Sequence, residues 1–134
     1  MVSCLALLLY SSSAWALTVT SGPSLTLDPN GLTPLAGVIH LSTDVPARVT
    51  LEVNDGNENR TIEFAEFKTE SSLPLLGLKP DKKYTIVVRL TDQNKQQLIV
   101  APALQATTDP LPADFPKIFL VSNEPALMEP GYTM

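Results

Sequence analysis

The 134-residue chain has one cysteine, one histidine and one tryptophan. A single histidine and a single cysteine cannot supply the four ligands of the usual zinc sites. They also leave little for nucleophile–histidine–carboxylate chemistry. One thiol closes no internal disulfide, so stability must come from packing. No apolar run approaches the roughly 20 residues that a membrane-crossing helix needs. Basic residues are scarce: nine Lys plus Arg stand against fourteen Asp plus Glu, for a net charge of −5. Without a basic cluster, nucleic acid and anionic membrane are poor partners. Helical periodicity is also missing, since no window keeps an apolar 3.6-residue repeat for ten residues. What is present is 44% hydrophobic residues, ordinary for a single globular domain.

Residues 1–16 carry no charge. A short apolar core over residues 5–10 is followed by Ser11-Ser12-Ser13 and by Ala14-Trp15-Ala16, an A-x-A cleavage pattern. This reads as a secretory signal cut after Ala16, although no Lys or Arg precedes its core. Cys4 is a weaker candidate for lipid acylation, because the apolar residues follow it rather than lead up to it. After cleavage the chain has no cysteine and no membrane-inserting segment.

Residues 17–107 read as short strands between turns. Val45, Ala47, Val49, Leu51 and Val53 recur at every second position, with Arg48, Thr50 and Glu52 on the opposite side. That is a strand with one wet face. Leu35, Gly37, Ile39 and Leu41 alternate likewise, as do Tyr84, Ile86, Val88 and Leu90. Asp28-Pro29-Asn30-Gly31, Asn54-Asp55-Gly56-Asn57 and Asp92-Gln93-Asn94-Lys95 are turn sequences. About seven strands are expected, in an all-β, fibronectin type III or immunoglobulin-like antiparallel β-sandwich. Leu78, Pro80 and Tyr84 form a Leu-x-Pro-x-x-x-Tyr pattern like a tyrosine corner, in which a buried ring bonds an upstream backbone group.

Residues 108–134 hold five of the twelve prolines. Asp109-Pro110-Leu111-Pro112 and Phe115-Pro116 read as a stiff linker. Lys117-Ile118-Phe119-Leu120-Val121 then reads as a strand, expected to open a further domain that the sequence does not complete. Phe115, Phe119 and Tyr132 are the candidate interface residues.

Three stretches carry a family resemblance. Residues 28–39, starting Asp28-Pro29-Asn30-Gly31-Leu32-Thr33-Pro34-Leu35, are similar to the opening of the N-terminal domain of bacterial aryl-sulfate sulfotransferases. Leu73-Pro74-Leu75-Leu76-Gly77-Leu78 resembles a later strand pair of that domain, and residues 125–133 resemble the opening of the catalytic region. The resemblance implies a periplasmic enzyme that moves a sulfuryl group between phenols through a sulfated histidine. It implies a β-sandwich that precedes a catalytic β-propeller and contributes to homodimerisation. Its catalytic residues belong to the propeller, so none is carried onto this chain and no cofactor is expected. The alternative is a free-standing fibronectin-like adhesion or ligand-binding module.

Other candidates weigh toward ordinary surface. His40 lies in a strand with no orienting partner nearby in sequence. Lys79, Lys82 and Lys83 could attract sulfate, but Asp81 interrupts them. Glu63, Glu66 and Glu70 could suggest acid–base chemistry, but their spacing suits a wet sheet face. Asn59-Arg60-Thr61 fits a glycosylation acceptor, a pattern common by chance. Phe64 and Phe67 are expected in the core.

Overall fold

The computed structural model describes residues 16–116. The expected leader up to Trp15, together with Phe119 and Tyr132, lies outside them. Five strands follow one another: β1 (Val19–Leu27), β2 (Gly37–Asn54), β3 (Asn59–Leu75), β4 (Lys83–Asp92) and β5 (Gln97–Thr107). All pairings are antiparallel, and the described residues include no helix.

The architecture is the all-β, immunoglobulin-like one expected, but with five strands rather than about seven. The difference lies in β2 and β3. Polar stretches around Ser42-Thr43-Asp44 and Thr69-Glu70-Ser71 look like breaks in sequence, yet the backbone bends there and stays extended. Residues 37–42 of β2 pair with residues 70–75 of β3, and residues 47–54 pair with residues 59–68. The register shifts between these two blocks, from Ser42 to Ala47, and again within the second, from Ala47 to Val49. The hairpin therefore folds over on itself. Its first half takes β1 as a further neighbour, and its second half takes β4, which carries β5.

The curl brings the apolar faces of both halves together. Ile39, Leu41, Leu73 and Leu75 from one half share a buried cluster with Leu51, Val53, Ile86, Val88 and Leu90 from the other. Burying each such side chain contributes about 1.5–3 kcal/mol, offsetting the entropy of ordering the chain. β1 runs close beside β2 at Gly22, where their pairing is irregular and φ is +79°. A Cβ there would stand 2.6 Å from the His40 carbonyl oxygen, so only glycine fits.

Two ends result. At one, which we call the linker end, lie the loops of residues 28–36, 55–58 and 76–82 and the tail beyond β5. At the other, the Asp44 end, lie Thr18, the bends of β2 and β3, and the turn from β4 to β5.

Candidate functional site at the linker end

The linker end is tied together through side chains that reach between loops. Tyr84 is buried, and its Oη accepts a 2.7 Å hydrogen bond from the Lys79 backbone N–H. Leu78 is buried beside it, and its N–H donates to the Leu35 carbonyl at 3.2 Å. Pro80 is half-buried in the same loop. Thr108 is buried just past β5. Its Oγ1 donates to the Lys79 carbonyl at 2.6 Å and accepts from the Lys82 N–H at 3.1 Å. Its own N–H donates to the Lys82 carbonyl at 2.9 Å. The sequence reading missed Thr108 because it stands where the proline-rich tail begins.

Lys79 also closes the neighbouring turn. Its Nζ lies 2.7 Å from Glu58 and 3.5 Å from Asp55. The Asp55 carboxylate accepts from the N–H groups of Glu58 and Asn57, at 2.7 and 2.9 Å, and these bonds hold its pKa below the ordinary 3.8, with Lys79 adding to them. The Glu58 hydrogen bond raises the Lys79 ammonium above its ordinary value, despite some desolvation. The one lysine of the trio with an ion pair among the described residues is thus already neutralised. Sulfate gains little from it.

Beside this pinned framework the surface is apolar. Among the described residues, four of the six exposed large hydrophobics, Leu32, Leu76, Leu111 and Phe115, lie at the linker end, so exposure of carbon is concentrated there. Pro34, Leu35 and Ala36 on one side face Leu111, Pro112 and Phe115 on the other across an open cleft of about 400 Å³. The tail is held in a turn by the Phe115 N–H, which donates to the Pro112 carbonyl at 3.0 Å.

The remaining candidates lie elsewhere. His40 is exposed, opposite Ser24 of β1 and Ser72 of β3. The shallow hollow beside it is lined by serines and Glu70, the wrong charge for binding sulfate oxygens. Glu63, Glu66 and Glu70 border another hollow, of about 500 Å³, along β3. Glu66 is paired with Lys68, which lowers its pKa, the opposite of what a general acid needs. Phe64 packs against the core as expected, but Phe67 does not. β3 bulges between Phe64 and Lys68, and Phe67 faces outward with the Arg48 guanidinium 5.7 Å from its ring centre. Among the described residues, no three His, Cys, Asp or Glu side chains are grouped to hold a metal ion. No helix among them is long and apolar enough to cross a membrane.

The family model of the arylsulfotransferase Ig-like domain matches residues 24–109. The chain belongs to that family. The match starts within β1 and runs past Thr108, so it takes in the whole pinned framework of this arylsulfotransferase N-terminal domain. No curated protein and no solved structure matches the chain.

Proposed function

We propose that this arylsulfotransferase Ig-like domain is a non-catalytic assembly module. It is exported to the periplasm, pairs with a second subunit, and holds in place a catalytic region that transfers sulfuryl groups between phenols. The observation that carries this reading is the apolar surface gathered where the chain leaves the sandwich, which suits a macromolecular neighbour better than a charged sulfate ester. Two further features support it. Leu17, the residue after the A-x-A pattern, is buried in the core, so cleavage after Ala16 leaves the packing whole. The outer edge of β3 has no neighbour among the described residues, and its one proline, Pro74, stands at the strand's end, whereas Pro23 and Pro102 stand in the middle of the outer strands β1 and β5. That edge is where we place subunit pairing.

The test has two arms. The purified chain is expected to transfer no sulfuryl group from p-nitrophenyl sulfate to a phenol, and to self-associate in sedimentation velocity. Turnover that disappears with His40→Ala overturns the non-catalytic assignment. A monomer at every concentration overturns the pairing.

A further inference from the structure

We infer that the cleft at the linker end is the seat of this chain's own next apolar segment, Ile118-Phe119-Leu120-Val121. The cleft is walled by Pro34, Leu35 and Ala36 from the loop after β1 and by Leu111, Pro112 and Phe115 from the tail. Its volume of about 400 Å³ falls within the range of small-molecule pockets, roughly 300–1,000 Å³. Such pockets, however, also place a few polar groups to orient a ligand, and here Thr33 is the only polar residue of the lining among the described residues. A lining of this kind selects apolar side chains and little else.

The chain itself supplies them at short range. Phe115 is the last wall residue, and Ile118 follows three positions later, a span of at most about 10 Å. Residues 118–121 are the only four consecutive large apolar residues after Thr107, and Lys117 and Ser122 bound them with polar groups. The turn closed by Phe115 and Pro112 already bends the tail toward residues 34–36 rather than away from the sandwich. A segment tethered this closely needs only a weak seat, because tethering replaces bimolecular association with a local equilibrium at high effective concentration. Seating deepens the assembly role: it fixes the direction in which the chain departs, and so the placement of whatever follows.

The experiment uses the full chain with labelled methyl groups. Methyl–methyl NOEs are expected between Leu35 or Leu111 and Ile118 or Leu120, within one molecule and unchanged on dilution. Their absence overturns the seat. Their appearance only between differently labelled molecules also overturns it, in favour of a second copy as occupant. Proteolysis gives an independent reading, since trypsin cuts after Lys117 only when the segment lifts off. Phe119→Ser, which removes the largest anchor without touching the sandwich, is expected to speed that cut by about tenfold. Leu111→Asp on the cleft side is expected to do the same, and equal rates in all three proteins overturn the seat. None of these outcomes depends on turnover or on sedimentation, so failure of the seat is distinguishable from failure of the assembly reading.

Discussion

The two ends of the sandwich are closed by different means. At the Asp44 end the contacts are short and mostly local. Asp44 accepts from its neighbour Val45 at 3.0 Å and from Thr18 at 2.8 Å, and Thr43 Oγ1 donates two residues along its own strand to the Val45 carbonyl at 2.7 Å. At the linker end, Thr108 and Tyr84 join the tail and the loop of residues 79–82 into one framework, with Lys79 binding the turn before β3. One end is sealed largely by bonds between near neighbours, with the reciprocal Thr18–Asp44 pair tying the start of β1 to β2. The other is cross-braced, and it also carries most of the exposed large apolar side chains among the described residues. In the assembly role proposed above, the linker end gains from this rigidity, since ordering cost is then met on folding rather than on contact.

The two buried threonines put this contrast at risk first. Thr108→Val leaves the Lys82 N–H and the Lys79 carbonyl without their side-chain partner, and is expected to cost about 2 kcal/mol in urea denaturation. Thr43→Val removes the short bond to Val45 and a long 3.5 Å one to the Thr69 carbonyl of β3, and is expected to cost only about 0.5–1 kcal/mol. Equal losses would show that the linker end is no more braced than the other.

Tyr84→Phe sharpens the same point at smaller scale. The ring stays and packs as before, so only the acceptor of the Lys79 N–H disappears, at about 1 kcal/mol. Unchanged denaturant midpoints would place the stability of this loop in packing alone.

How much of this could be read in the sequence depended on distance along the chain. Leu78, Pro80 and Tyr84 lie within seven residues, so a local pattern exposed them. Thr108 bonds residues 26 and 29 positions away, and nothing around a threonine before Asp109-Pro110 marks such a reach. The strand count failed for a related reason. Ser42-Thr43-Asp44 and Pro46 have turn composition, but Thr43 is buried and bonds back to its own strand, so the polar residues are satisfied within a bend. Phe67 escaped the core because extra residues in β3 between Phe64 and Lys68 shift its pairing with β2, which strict alternation does not register. The cleft joins residues more than seventy positions apart, and no periodicity links Leu35 to Leu111.

The smallest effect separates the ends by their electrostatics. Asp44 and Asp55 are both held below the ordinary 3.8, but for different reasons. For Asp44 the main cause is the Thr18 backbone bond, with Val45 adding to it and no ion pair involved. For Asp55 the Glu58 and Asn57 backbone bonds lead, and the Lys79 charge contributes as well. A depressed carboxyl favours the folded state while it is ionised. Its contribution is complete above 3.8 and is lost as the pH falls through the lower folded value. Asp44→Asn and Asp55→Asn are each expected to flatten the acid limb of the stability curve below that pH. Salt then tells them apart. At 1 M, where the Debye length shrinks to about 3 Å, the Lys79 attraction is weakened while the short hydrogen bonds persist. The Asp55→Asn difference should therefore shrink with salt, and the Asp44→Asn difference should not. Parallel shrinkage in both would mean that the ends are closed by the same kind of force.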